Sequence, residues 1–156
     1  MLFRSDIDIK VLITNKDDAG CIERAESVKI PHKIIRSKDF THKELFELEI
    51  INTLINYEVE LIVMAGWMKI VTPFFISKFK NKIINIHPSL LPAFKGGSAI
   101  KDSILNGSKI TGCSVHFVEE EVDSGSLIMQ AALSIRDDDD IETLSKRIQK
   151  IGRAHV

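Results

Sequence analysis

The sequence is poor in cysteine, and the two cysteines that it has form no recognisable site. Cys21 and Cys113 lie far apart, without a CxxC pair and without a cluster of histidines beside them. This spacing argues against a disulfide framework and against a cysteine metal site. We therefore expect two reduced, buried cysteines in a cytoplasmic protein, and no bound metal.

Long apolar runs and an excess of one charge are missing as well. The 21 basic residues nearly balance the 22 acidic residues, and no basic block stands out, which argues against a nucleic-acid partner. No apolar run approaches the roughly 20 residues of a membrane-spanning helix. The 44% of hydrophobic residues is enough to build the core of one domain. Neither nucleic acid nor a membrane is predicted as a partner.

The two ends of the chain do not fit the pattern of the rest. The opening MLFRS places a charged break directly before a strand, and the closing IGRAHV interrupts an unfinished helix. Both resemble translated sequencing adapters. We therefore expect a single domain over residues 6–150, truncated at both ends, with residues 1–5 and 151–156 non-native. Natural termini are the alternative.

Between these ends, short apolar segments alternate with helical patterns. Strands are predicted at residues 6–14, 32–35, 61–65, 82–86, 112–118 and 127–135. Residues 61–65 (LIVMA) are so apolar that both faces of that strand are expected to be covered. The alternation predicts an α/β fold, with a mostly parallel twisted sheet and helices on both faces.

Two helices have start signals in the sequence. Residues 41–44 (THKE) match a capping box. The apolar face of the helix that follows is predicted to consist of Leu45, Leu48, Ile51, Leu54 and Ile55. Thr72 and Pro73 predict another helix, with threonine as the N-cap and proline at the first helical position.

The strongest functional pattern is an amide and an imidazole at the end of a buried strand. Asn85 and His87 are two residues apart in KIINIHP, so their side chains point to the same side of an extended chain. An amide donor and a protonated imidazole can both bind an oxyanion, and histidine can also move a proton near neutral pH. A histidine held by backbone hydrogen bonds beside a proline turn is the alternative.

A second polar group follows the next predicted strand. Asp123 lies in a tight turn (VDSG) that could bring it inward, where a carboxylate near His87 would favour the protonated ring. Residues 119–121 (EEE) are predicted to be a solvated charge run. His116 and Ser114 lie on one face of the strand SVHFV, and for both of them a structural role is favoured.

These motifs resemble a known family. NIHPSLLPAFKG, followed by TGCSVHFVEEEVDSG, is similar to the signature of the phosphoribosylglycinamide formyltransferases, the folate-dependent transferases of purine synthesis. NKDDAGCIERA and AGWMKIVTPFF are also similar, and the likeness runs over residues 7–149. The resemblance implies a Rossmann-like formyltransferase fold, here lacking its first strand and its C-terminal helix.

The resemblance also implies roles for individual residues. His87 matches the general acid/base, Asn85 the amide that binds the formyl oxygen, and Asp123 the carboxylate that favours the protonated histidine. The implied reaction transfers a formyl group from 10-formyltetrahydrofolate to the amine of glycinamide ribonucleotide, without a metal.

A folate site is implied as well. Met68, Lys69, Ile70 and Val71 match the loop that lines the pterin pocket, and Asn85 reaches the formyl group. Lys43 matches a basic position near the folate. Without the resemblance, the loop residues would be interpreted as part of the core and Lys43 as a surface lysine. The family more often has arginine in place of Lys69. Lysine lacks the planar guanidinium group of arginine, which can form two parallel hydrogen bonds.

Two other functions remain open at this point. Another folate-dependent formyltransferase, such as a methionyl-tRNA formyltransferase, would use the same three residues with a different amine. A catalytically impaired folate-binding fragment is the second alternative. The family's glycine-rich phosphate loop does not occur in this sequence, so we expect the 156-residue chain to bind the ribonucleotide weakly and to have low or no activity.

Overall fold

The computed structural model describes residues 7–155 and divides the chain into two compact units, residues 1–60 and residues 61–156. Residues 1–6 and residue 156, on which part of the prediction for the two ends falls, lie outside the described residues. In chain order, the elements are β1 (Leu12–Thr14), α1 (Cys21–Ser27), β2 (His32–Ile34), a 3-10 turn (Ser37–Asp39), α2 (Lys43–Asn56), β3 (Ile62–Ala65), α3 (Pro73–Lys78), β4 (Ile83–His87), α4 (Ala99–Leu105), β5 (Ile110–Phe117), β6 (Leu127–Ser134) and α5 (Ile141–His155).

The first unit contains a parallel strand pair and two α-helices. β1 and β2 pair in parallel, with Leu12 opposite His32, and α1 makes the connection between them. Cys21 at its start is half-buried and has a free thiol, so only Cys113 is fully buried as expected.

The buried side of α2 matches the predicted one only in part, because Ile51 and Leu54 are buried as predicted. Its buried apolar residues are Phe46, Ile50, Ile51 and Leu54. Leu45, Leu48 and Ile55, which the sequence pattern assigned to the core, are exposed. The helix carries apolar residues on two sides, and both sets have helical spacing, so periodicity alone could not choose between them.

The capping box predicted for α2 is wrong. The N-cap residue is His42, and its side chain makes no capping hydrogen bond. Thr41 therefore lies one position too early for its hydroxyl to cap the first turn. The start of α3 is as predicted, because the Thr72 hydroxyl accepts a hydrogen bond from the Phe75 amide and Pro73 is the first helical residue.

The second unit contains a four-stranded mixed sheet in the order β3-β4-β5-β6. β3 and β4 are parallel, whereas β5 is antiparallel to both β4 and β6. The α/β prediction is confirmed, and antiparallel pairing is more extensive than the alternation indicated. β5 and β6 are joined by a short loop, and a direct connection of this length permits only antiparallel pairing.

One face of this sheet is covered by α5, with α4 packed beside it. Cys113, Leu144 and Ile148 form the buried centre of this core, and Ile86 of β4 packs against them. Burial raises the pKa of the Cys113 thiol. Since side chains alternate along a strand, Asn85 and His87 project from the opposite face of β4.

One strand of the second unit departs from the sequence-based expectation. β3 alternates between half-buried and exposed positions, and Val63 is 49% exposed, so the expectation of two covered faces is wrong for these residues. β3 is an edge strand of its sheet, which explains the difference. α5 extends to His155, and the non-native origin of residues 151–156 stays a prediction. Over the described residues, the structure has no helix with the length and apolar character to cross a membrane.

Candidate active site

The candidate site is built on the antiparallel pairing of β4 with β5. Asn85 lies directly opposite His116, and His87 lies opposite Ser114. Directly opposed residues of an antiparallel pair project to the same face of the sheet. The two predicted residues of β4 therefore share one face with the two polar residues of β5.

His87 is buried, with 4% of its surface exposed, and both of its ring nitrogens face acceptors. Nε2 is hydrogen-bonded to the carbonyl oxygen of Phe94 at 2.8 Å. Nδ1 lies 3.3 Å from Oδ2 of Asp123. A ring that carries a proton on each nitrogen would satisfy both acceptors, whereas a neutral ring can donate to only one of them.

Asp123 is brought to His87 by a tight turn after β5, as the sequence predicted. Its φ of 52° lies in the left-handed region, which aspartate tolerates better than most residues. The backbone N–H of Gly96 donates a 2.8 Å hydrogen bond to Oδ2 of Asp123. A side chain at Gly125 would meet the Phe117 carbonyl oxygen at 1.9 Å, so the turn depends on glycine there.

His116 lies between Asn85 and Asp123. Its Nε2 is 3.3 Å from Nδ2 of Asn85 and 3.5 Å from Oδ1 of Asp123. Its Nδ1 is hydrogen-bonded to the carbonyl oxygen of Phe117 at 2.8 Å. A continuous series of contacts thus runs from Asn85 through His116 and Asp123 to His87.

The sequence did not point to His116 as part of this group. Asn85 and Asp123 are separated from it along the chain, and the register between β4 and β5 is what brings Asn85 opposite to it. The one available signal was its spacing of two residues from Ser114, which places both side chains on one strand face.

The loop that follows β4, loop 88–97, is held by hydrogen bonds. The buried hydroxyl of Ser114 accepts from the Leu91 amide at 3.0 Å and donates to the Ser89 carbonyl at 2.7 Å. Gln130 Nε2 donates to the Leu91 carbonyl and to the Ser114 hydroxyl. Phe94, whose carbonyl oxygen accepts the hydrogen bond from His87, has a φ of 53°. Positive φ at a bulky residue costs of order 1–3 kcal/mol, so the surrounding contacts must hold this conformation.

The loop that follows β3, loop 66–71, leaves the sheet beside β4. Ala65 is paired with Ile86, so the loop begins next to the His87 end of β4. Met68 is 73% exposed and Ile70 is 62% exposed. The alternative interpretation, in which these side chains pack in the core, is therefore wrong for both residues. Lys69 is exposed too, and Val71 is half-buried.

The remaining candidate residues lie outside this group. Lys43 is the first residue of α2 in the first unit and is exposed. Residues 119–121 are exposed, as expected of a solvated run, and Glu121 forms an ion pair with Lys95 at 3.2 Å. No set of three or more histidine, cysteine or acidic side chains within the described part of the chain is arranged to hold a metal ion.

The arrangement has the parts of a site for addition to a carbonyl group. One N–H of the Asn85 amide faces His116, and the other has no hydrogen-bond partner among the residues that the structure describes. His87 can donate a proton, and Asp123 can compensate the charge of a protonated ring. Such groups stabilise an oxyanion and move a proton when an acyl or formyl group is transferred.

Comparison with known proteins identifies the family. The model of the formyl transferase family matches residues 4–156. The phosphoribosylglycinamide formyltransferase of Bacillus subtilis (strain 168) is 41% identical over 146 residues, which cover 94% of this chain and 75% of that protein. This chain belongs to the formyl transferase family. The resemblance that the sequence motifs indicated is therefore confirmed.

Two further matches differ in how much of the matched protein this chain covers. The crystal structure of the phosphoribosylglycinamide formyltransferase of Bacillus halodurans matches with a TM-score of 0.91 and 37% identity, over 96% of this chain and 77% of that one. The trifunctional purine biosynthetic protein adenosine-3 of Chironomus tentans is 43% identical over 141 residues. This match covers 90% of this chain but only 10% of that protein.

Proposed function

We propose that this site transfers a formyl group from 10-formyltetrahydrofolate to the amine of glycinamide ribonucleotide, a step of purine biosynthesis. The observation that carries the proposal is the convergence of Asn85, His87 and Asp123 on one face of β4, in a chain of the formyl transferase family. The names of the Bacillus subtilis and Bacillus halodurans relatives support glycinamide ribonucleotide as the acceptor.

The proposed reaction is an addition followed by an elimination. The amine nitrogen forms a bond to the formyl carbon, and the formyl oxygen becomes an oxyanion. The bond between that carbon and the folate nitrogen then breaks. The amine loses one proton and the departing folate nitrogen gains one, so that the products are the formylated ribonucleotide and tetrahydrofolate.

Asn85 and His87 would stabilise the oxyanion. The free N–H of the Asn85 amide is a neutral donor fixed on a strand. His87 becomes the second donor when Nε2 exchanges the Phe94 carbonyl for the formyl oxygen, because each ring nitrogen carries at most one proton. Asp123 would keep its contact with Nδ1 during this exchange and compensate the positive charge of the ring. Hydrogen bonds in unliganded sites commonly rearrange in this way when substrate binds.

The folate would be held by loop 66–71. Exposed Met68 and Ile70 offer apolar surface to a flat heterocycle, and Lys69 and Val71 complete the loop. Lys43 is proposed as a basic contact for the same ligand. We further expect the protein to act in the cytoplasm.

A formylation assay tests the proposal. The 156-residue chain is compared with a chimera in which it replaces the matching part of the Bacillus subtilis relative, since the chain spans 75% of that protein. Each is given 10-formyltetrahydrofolate and either glycinamide ribonucleotide or methionyl-tRNA, and the products are identified by mass. We expect the chimera to formylate only the ribonucleotide. A folded chimera that formylates neither acceptor, or only the tRNA, would contradict the proposal.

A further inference from the structure

We propose that His116 is a positioning residue, which fixes the orientation of the Asn85 side-chain amide so that its NH2 group, and not its oxygen, is the donor of the site. The inference rests on the proposed function, because the orientation of the amide matters for catalysis only if Asn85 donates to the formyl oxyanion. The orientation itself follows from the contacts of the His116 ring.

The Phe117 carbonyl oxygen selects one tautomer of His116. A carbonyl accepts hydrogen bonds and cannot donate, so Nδ1, at 2.8 Å from it, carries a proton. In a neutral ring, Nε2 is then an acceptor. The tautomer of a histidine is commonly set in this way by the hydrogen bond that its other nitrogen makes.

The acceptor at Nε2 in turn orients Asn85. Nε2 lies 3.3 Å from Asn85 Nδ2, and an acceptor there requires the NH2 group of the amide to face it. The second hydrogen of the same NH2 group then remains for another acceptor. If the proton were on Nε2, the amide would have to turn its oxygen toward His116, and both N–H groups would point elsewhere.

Burial makes this contact hard to replace. His116 is 2% exposed, so water cannot take over the hydrogen bond to Asn85. The two residues are directly opposed in the β4–β5 register, which fixes their separation. Asp123 Oδ1 also faces Nε2, but at 3.5 Å it lies farther from this nitrogen than Asn85 Nδ2 does. The Asp123 carboxylate has other partners, the Gly96 N–H and His87.

Two substitutions test the contact of Nδ1 with Phe117 and the contact of Nε2 with Asn85 separately. In His116→Asn, the amide nitrogen can still donate to the Phe117 carbonyl, but nothing reaches Asn85. In His116→Gln, the longer side chain can bring an amide oxygen to the position of Nε2. His32→Asn, a half-buried histidine in the first unit, is the matched control.

Nitrogen NMR of the 156-residue chain is the first measurement. We expect His116 to carry its proton on Nδ1 and not on Nε2. The Asn85 side-chain N–H signals should lose their exchange protection in His116→Asn and keep most of it in His116→Gln and His32→Asn. A proton on Nε2, or unchanged Asn85 signals in a folded His116→Asn variant, would overturn the proposal.

Formyl transfer by the chimera that carries the same substitutions is the second measurement. His116→Asn should lower kcat by about 10- to 100-fold and change KM by less than about twofold, because the donor acts on the oxyanion of the transition state. In an Asn85→Ala background, the same substitution should lower kcat by less than about twofold, since both changes remove the same interaction. Full additivity would overturn the proposal. If the folded, unsubstituted chimera transfers no formyl group, the proposed function fails, and the NMR result alone decides the role of His116.

Discussion

Two loops leave neighbouring parallel strands of the second unit and are built in opposite ways. Loop 88–97 is held to β5 and β6 through Ser114 and Gln130, and it holds His87 and Asp123 in turn. Loop 66–71 presents Met68 and Ile70 largely exposed. The difference matches two tasks, because groups that act on a transition state must be preorganised, whereas a ligand can itself cover an apolar surface.

Among the variants that compare the two loops, the largest effect is predicted for the donor beside loop 88–97. Asn85→Ala removes an N–H from the proposed oxyanion site, so kcat should fall by about 100- to 1000-fold. Formyl transfer by the chimera is the measurement, with Asn52→Ala on the exposed side of α2 as the control. A loss of less than about threefold in a folded variant would show that this amide is not the donor.

Asp123→Asn should have the next largest effect. The amide can still accept from the Gly96 N–H, but the charge beside His87 is gone. Loss of a charged hydrogen-bonding partner costs about 1.5–3 kcal/mol, which corresponds to roughly a 10- to 150-fold lower rate. Asp138→Asn, at an exposed position, is the control for the same assay. Equal rates for both variants would remove Asp123 from the mechanism.

Ser114→Ala tests the construction of loop 88–97. The substitution leaves the Leu91 amide and the Ser89 carbonyl without their buried partner. The free energy of unfolding should fall by about 1–3 kcal/mol. Urea denaturation measures it, and Ser77→Ala on an exposed position of α3 should change it by less than about 0.5 kcal/mol. If both variants unfold alike, the loop does not depend on this network.

The smallest effect is predicted for loop 66–71. Met68→Ser and Ile70→Ser should leave the free energy of unfolding unchanged within about 0.5 kcal/mol, because both side chains are exposed. The KM for the folate should rise by about five- to tenfold, since part of the apolar contact with the ligand is lost. A large loss of stability with an unchanged KM would mean that the loop supports the fold and does not bind the folate.

The sequence predicted the parts of the site that depend on local geometry. Asn85 and His87 share a face because strand side chains alternate, and the turn at Asp123 was visible in its glycine and serine neighbours. His116 was missed because its partner is set by strand register, which a single sequence does not encode locally. Part of the buried side of α2 was missed for a related reason, since Leu45 and Phe46 begin two equally regular apolar stripes.

The central claim is that His87 and its neighbours form a site for formyl transfer, and His87→Ala tests it most directly. Transfer from 10-formyltetrahydrofolate to glycinamide ribonucleotide is measured for the chimera with and without this substitution, with the melting temperature followed in parallel. The account predicts a loss of about 100- to 10,000-fold, the range for a group that acts as general acid or base. A folded His87→Ala variant that transfers the formyl group at the unsubstituted rate would contradict it.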